Sequence, residues 1–387
     1  MRLGGQSIKV NKSERSILMN KVCKPIAIVT LTKDFNYGNR LQNYAVQQII
    51  ENMGYEVRTL FNLTDSEYMK HKSFKEWIKY IINYKDARVY LKIARMFNKF
   101  NKKYIYFGEK IIKNGDLNYL NNCYDAFVTG SDQVWNPNWS FLSDIEYLGF
   151  VEDNIKKISL SSSFGVNEIP ESKREEVSRY LKRIDFISVR EEAGAEIVRK
   201  LVNRTSKVLI DPTMYISLEK WIGIERKPKE LAKEEYVLIY ILGSHNSEVY
   251  EKIFEFTKKK NIKIYNLARN RLNDKIPIGP EEFLYLIHNA KYVVTDSFHG
   301  SVFSILFKTD FYVFKRENNK EDMSSRIVTL LRKMHLSNRF VHARAMDFEN
   351  RISADVWHET EECLAIEQKC FKEYIESALD GEGFRYM

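Results

Sequence analysis

Cysteine is scarce in this chain. Of 387 residues only Cys23, Cys123, Cys363 and Cys370 are cysteines, and none stands in Cys-x-x-Cys spacing. A zinc ribbon is thereby excluded and nothing points to a disulfide framework; free thiols in a reducing compartment are the plain reading. Long apolar runs are also missing. None approaches the ~18 residues needed to cross a bilayer, and the polar stretch before Lys24 has no signal-peptide core. A soluble, cytoplasmic protein is expected, with any membrane contact peripheral and at the inner face. His71, His245, His288, His335, His342 and His358 form no metal-ligand spacing with acids or cysteines, so neither a metal nor a cofactor is expected. There is no Walker loop, no Gly-x-Gly-x-x-Gly after the first strand, no nucleic-acid motif, no repeat and no low-complexity segment.

What is present reads as a globular chain, 44% hydrophobic and 29% charged, long enough for two or three domains. The net charge of +9 is concentrated. Between Lys70 and Lys113 thirteen Lys or Arg face only Glu76, Asp86 and Glu109. Trp77, Tyr80, Tyr84, Tyr90, Phe97, Phe100, Tyr104 and Tyr106 are interleaved among them. Such basic, aromatic helices suit an anionic membrane surface or a polyanion, or else form a solvated insertion whose aromatics pack inward.

Apolar strand candidates alternate with helical periodicity. Ile26–Leu31 leads through a polar loop to a helix from about Arg40 to Met53, and Tyr55–Phe61 completes a βαβ unit. Further strands are expected at Tyr124–Thr129, Lys157–Ser162, Phe186–Val189 and Lys207–Ile210. After the charged stretch 225–235 the alternation restarts with strands Tyr236–Leu242, Ile262–Asn266, Tyr292–Thr295 and Phe311–Phe314. The expected fold class is α/β, two Rossmann-like domains facing a cleft. The expected layout is an extension (1–24), a first domain (25–224) with a basic helical insertion (68–115), a linker (225–235), a second domain (236–345) and a helical tail (346–387).

A doubly wound fold binds ligands at the carboxyl ends of its strands, and several such ends here are polar. The first loop offers Asn36, Gly38, Asn39 and Arg40: a turn, a helix cap and donors. The second carries Ser131, Asp132, Gln133 and Trp135, equipment for holding a sugar by hydrogen bonds and stacking. Loop three is Ser161–Gly165, and Arg190 follows directly on Ile187-Ser188-Val189, where a guanidinium can grip a phosphate or carboxylate. Ordinary turn and cap chemistry explains any one of these loops; four on one rim favour a site. In the second domain the run YVVTDSFHG (292–300) reads as strand, tight loop and helix start. It places His299 among unpaired backbone N–H groups, a proton-transfer side chain at an anion site. Asp296 either orients that imidazole or caps the helix. Lys315, Arg316 and, opening the helix Ser324–Leu331, Arg326 could reach the same cleft.

The ordered set IAIVTLTKDFNYGNRLQNYAVQ (26–47), FVTGSDQVWNP (127–137), SLSSSFG (159–165), ISVRE (187–191), LIDPT (209–213) and VVTDSFHGSVFS (293–304) resembles the polysaccharide pyruvyltransferase family. The resemblance implies a glycosyltransferase-B-like fold and transfer of a pyruvyl group from phosphoenolpyruvate to sugar hydroxyls as a cyclic ketal. The acceptor would be a surface polysaccharide or its lipid-linked precursor. It also maps an essential histidine onto His299, a strand-end arginine onto Arg190 and a downstream basic residue onto Lys315. Some branches carry an arginine two residues before the histidine; here Ser297 stands there. The expected donor set is then Arg190, Ser297, Gly300, Lys315, Arg316 and Arg326. The acceptor set is Asn36, Gly38, Asn39, Arg40, Ser131, Gln133 and Trp135, with His299 and Asp132 as the proton-transfer pair. A nucleotide-sugar glycosyltransferase on the same scaffold and a non-catalytic glycan- or membrane-binding protein are the competing readings.

Overall fold

The computed structural model describes residues 24–32, 35–62, 84–111, 115–139, 143–232, 234–243, 247–273, 275–316 and 324–380. Lys70–Lys79 therefore lie outside the described residues. A seven-stranded, wholly parallel sheet is built from β1 (Ile26–Val29), β2 (Val57–Asn62), β3 (Phe107–Ile111), β4 (Ala126–Thr129), β5 (Lys156–Ser162), β6 (Phe186–Val189) and β7 (Lys207–Val208), in the order β3-β2-β1-β4-β5-β6-β7. Its crossovers include α1 (Tyr37–Asn52), α2 (Tyr84–Tyr104), α3 (Glu171–Arg183) and α4 (Glu192–Val202); α5 (Leu218–Ile224) leads out. The second sheet has the order β11-β10-β9-β8-β12-β13, from β8 (Tyr236–Tyr240), β9 (Lys263–Ala268), β10 (Arg271–Leu272), β11 (Ile276–Pro277), β12 (Tyr292–Thr295) and β13 (Phe311–Val313). Between its strands run α6 (Ser247–Lys260), α7 (Pro280–His288) and α8 (Phe298–Leu306), followed by α9 (Ser325–Lys333) and the long α10 (Ala354–Asp380). The chain thus folds as two Rossmann-like α/β domains.

Both central strand sets are buried on two faces, as parallel sheets require; β1, β4, β8 and β12 have every residue buried. Two elements depart from expectation. Phe107–Ile111, read as part of a basic helical insertion, is the edge strand β3, where Gly108 and Lys110 suit an edge better than a centre. The pair β10 and β11 adds a short antiparallel edge to the second sheet. Within α2, Ile93, Phe97 and Phe100 are buried, so its apolar stripe packs into the core.

The two halves interlock through aromatic contacts. Tyr37, opening α1, stacks on Phe283 of α7 at 4.3 Å and on Phe97 of α2 at 5.6 Å. Its hydroxyl donates to the Ile278 carbonyl at 3.1 Å. From the other end of the chain, α10 returns to the first sheet. Tyr374 donates to the Ser159 carbonyl and Lys156 Nζ to the Leu379 carbonyl, both at 2.8 Å. Among the described residues no helix is long and apolar enough to cross a membrane.

Candidate active site

Strand order reverses between β1 and β4 in the first sheet and between β8 and β12 in the second. Loops at such switch points diverge and leave a crevice at the strands' carboxyl ends. The loops leaving β4 and β12 carry Ser131-Asp132-Gln133 and Asp296-Ser297, and His299 lies in the first turn of α8. The side chains of these loops meet.

Arg190, at the end of β6, is the hub. Its Nη1 donates to Asp211 Oδ2 at 2.8 Å and its Nη2 to Asp132 Oδ1 at 3.1 Å. Asp211 also accepts from Ser131 Oγ at 3.1 Å and from the Thr213 amide and hydroxyl at 3.0 and 2.7 Å. From the second domain, His299 Nε2 stands 3.7 Å from Asp211 Oδ2, and Arg326 Nη1 stands 3.9 Å from Asp132 Oδ1. With its amide oxygen turned towards α9, Gln133 accepts from Arg326 Nη2 at 2.8 Å. The Phe298 ring lies under both guanidinium groups, 4.2 Å from Arg190 and 5.8 Å from Arg326, a cation–π platform at the seam.

Every member of this cluster is at most 8% exposed, so its electrostatics are strong. Burial works against the Asp211 carboxylate, but His299, Arg190 and Thr213 outweigh it and hold this group far below the usual range. Asp132 likewise resists its own burial, lowered by Arg190, His299 and Arg326. Burial opposes the Arg190 charge too, yet Asp132 and Asp211 raise it above its ordinary value. Arg326 goes the other way: burial, with the like charge of Arg190, brings it down to about 10. Three nitrogens, Arg190 Nε, His299 Nε2 and Arg326 Nε, are buried with no hydrogen-bond partner among the described residues. Each such group costs on the order of 1–3 kcal/mol, a cost that an incoming anion or polar ligand relieves.

Several sequence-derived candidates stand elsewhere or do other work. Trp135 offers no stacking face to a sugar: it is fully buried, its indole N–H donates to the Glu146 carbonyl at 3.1 Å, and its ring stacks on Tyr147. Asp132 is held between two arginines, which suits it to position them rather than to take a proton. Asp296 neither orients His299 nor caps α8. It accepts from the Leu242 and Gly243 amides, both at 2.7 Å, and from Arg316 Nε at 3.2 Å. The cap is Ser297, whose hydroxyl accepts from the Gly300 amide at 3.3 Å. Lys315 is exposed beyond β13. Asn36 is exposed and caps α1 through the Asn39 amide, while Asn39 and Arg40 are buried in its first turn. Gly38, assigned to the acceptor, instead faces the histidine: a Cβ there would lie 2.1 Å from His299 Nδ1.

Three contributors were not singled out from the sequence. Asp211 lies within LIDPT at a strand end, the same signal that marked Arg190. Glu191 accepts from Ser163 Oγ and from the Phe164 and Gly165 amides at 2.9–3.1 Å, fixing the third loop behind the cluster. Gln42 accepts from the Ser131 amide at 2.9 Å and donates to Thr30 Oγ1 at 2.8 Å. Among the described residues there is no cluster of His, Cys, Asp and Glu able to hold a metal ion.

Two Rossmann-like domains joined across their switch points define a fold of the glycosyltransferase-B type. Solved structures with this arrangement include a UDP-N-acetylglucosamine 2-epimerase, described as putative, from Listeria monocytogenes (TM-score 0.53, 8% identity, 93% of this chain and 98% of that one). A second is MnaA of S. aureus with UDP (TM-score 0.52, 8% identity, 93% and 98% covered). At such identity the likeness shows the fold alone. No curated protein matches the sequence. The family model for polysaccharide pyruvyl transferase matches residues 36–318, and the chain belongs to that family.

Proposed function

We propose that the protein transfers the pyruvyl group of phosphoenolpyruvate to two hydroxyls of a sugar, forming a cyclic ketal on a surface polysaccharide or its precursor. The observation that carries this reading is the buried seam where His299, Arg190 and Arg326 converge with unpartnered N–H or ring-nitrogen positions. The donor has a phosphate and a carboxylate, matching paired guanidinium groups that recognise planar or tetrahedral oxyanions bidentately. Family membership supports the transfer of pyruvyl to a polysaccharide.

In this reaction a proton adds to the methylene carbon of the donor, leaving its central carbon electrophilic. One sugar hydroxyl forms a C–O bond to that carbon, the bond to phosphate breaks, and the neighbouring hydroxyl closes the ring. The two hydroxyl protons balance the new methyl group and the departing hydrogen phosphate. His299 serves as the proton donor, a role worth typically ~10²–10⁴ in rate. Arg190 and Arg326 hold the donor's anionic groups and stabilise charge gathering on the leaving phosphate. Asp132 and Asp211 fix those guanidinium groups. Gly38 leaves room for the imidazole, and Arg316 and Lys315 lie further out on the donor side.

The test is phosphate release from phosphoenolpyruvate with a vicinal- or 4,6-diol sugar acceptor, run beside a panel of nucleotide sugars. His299→Ala is expected to abolish release while leaving the melting temperature within a few degrees, since Nε2 makes no hydrogen bond in the fold. Consumption of a nucleotide sugar in place of phosphoenolpyruvate, or full turnover by the variant, sinks the reading.

A further inference from the structure

The buried stripe of α2 accounts for one face of that helix; its outer face is exposed and basic. Arg88, Lys92, Arg95, Lys99, Lys102 and Lys103 are all exposed. The spacing i, i+4, i+7, i+11, i+14 and i+15 places them along one side, a row about 22 Å long at the helical rise. No acidic residue occurs between Arg88 and Tyr104. Among the described residues no carboxylate lies within 4.0 Å of Lys92, Arg95, Lys99 or Lys102. Beside the row runs a groove of about 370 Å³ whose lining adds Lys227 and Lys229, with the acids Glu230 and Glu282, to Lys92, Arg95, Met96 and Lys99. Arg226 is bound to Glu281 and Glu282 at 2.6 Å each; Glu281 also lies 4.0 Å from Lys103, which leaves Lys92, Arg95, Lys99 and Lys102 as the uncompensated part of the row among the described residues. Apolar groups flank it in the open: Leu91 is 53% exposed and Tyr106 48%.

We propose that this face docks the protein on an anionic phospholipid surface. The row is linear, with charge in one line and the exposed apolar side chain of Leu91 beside it. Lysine and arginine stems reach along such a surface while their heads meet phosphate. Leu91 and Met96 supply apolar contact that a purely soluble polyanion does not use. Each basic residue near an anionic leaflet adds affinity of about fivefold, falling off within a Debye length. The inference does not depend on the identity of the donor substrate.

The experiment is co-sedimentation of the full chain with vesicles of phosphatidylcholine alone or with about a third phosphatidylglycerol. Expected are binding to the anionic vesicles only, its loss as salt rises from about 0.1 M to about 0.5 M, and a roughly several-hundredfold weakening in the variant Lys92→Gln/Arg95→Gln/Lys99→Gln/Lys102→Gln. That variant leaves Ile93, Phe97 and Phe100 in place, so its melting temperature should match the wild type; the salt series reads the same charges without any substitution. Soluble polyphosphate is the competing arm. Failure of the wild type to bind anionic vesicles, equal binding to neutral ones, undiminished binding by the variant, or a stronger hold on polyphosphate than on vesicles of equal charge overturns the proposal.

Discussion

Replacing Gly38 by alanine adds one methyl group at the point where the first helix faces the histidine. The added Cβ would sit 2.1 Å from Nδ1, 2.5 Å from Cε1 and 2.6 Å from Cγ of His299. Ordinary carbon contacts lie at about 3.5–4.0 Å, so the imidazole must retreat by more than an ångström. Neither partner has slack: Gly38 is in the first turn of α1 behind Tyr37, which is 1% exposed, and His299 is in the first turn of α8. Overpacking of this kind costs about 1–3 kcal/mol of stability, whereas a misplacement near 1 Å at a reacting group costs on the order of 10²-fold in rate. Gly38→Ala should therefore stay folded and lose at least about 100-fold in kcat for phosphate release from phosphoenolpyruvate. Gly223→Ala is the matched control: beyond its chain neighbours and the backbone of its own helix, no atom lies within 4 Å of its added Cβ, and it is helical, in α5. It should keep full activity and gain up to about 1 kcal/mol. If Gly38→Ala turns over at the wild-type rate, His299 in this position is not the proton donor.

Other outcomes follow from the same geometry. Asp211→Asn strips Arg190 of one buried counter-charge and should cost roughly 3–5 kcal/mol at neutral pH, read by urea denaturation. Because the folded carboxyls of Asp132 and Asp211 are depressed, their contribution is complete above the unfolded value near 3.9 and fades as pH falls from there through the folded values. The deficit of Asp211→Asn should accordingly narrow as pH falls below about 4; a deficit undiminished at low pH counts against the assignment. Arg326→Gln should lower kcat/KM for phosphoenolpyruvate by roughly 10- to 150-fold, the equivalent of one charged hydrogen bond, with an unchanged value removing Arg326 from the donor site. Tyr37→Phe should cost about 1 kcal/mol through the Ile278 carbonyl it deserts, and Tyr37→Ala about 3–5 kcal/mol through the lost stack on Phe283. A melt showing equal losses would mean that the hydrogen bond, not the stack, does all the joining.

The architecture was legible because parallel strands buried on both faces leave continuous apolar runs, and β4, β6, β8 and β12 each ended within a few residues of the expected place. Edge strands leave less trace: β3 carries glycine, glutamate and lysine, and β10 and β11 are two residues long, although β7 fell at its expected start. Strand ends located Arg190 and His299, since a polar residue after an apolar run is a local signal. What each side chain does there is not local. Asp211 meets Ser131 across 80 positions and His299 across the two domains, and neither pairing is written in the spacing of its own loop. Trp135 shows the converse. In a polar loop an indole looks like a sugar platform, but the neighbours that swallow it, Tyr147 and Phe164, come from other segments.

The return of α10 to the first sheet has a consequence for how this protein is made. Ser159 and Lys156 find their partners Tyr374 and Leu379 more than 200 residues later, and Phe371, fully buried, stacks on Tyr215. A ribosome that has released the whole of the first sheet has not yet supplied the helix that covers part of it. During synthesis that surface stays open, at 5–20 residues per second, for on the order of ten seconds or more. The first domain is thus the first to collapse and among the last to be finished, and a chain that stops short of α10 exposes an unfinished sheet rather than a smaller version of the same protein.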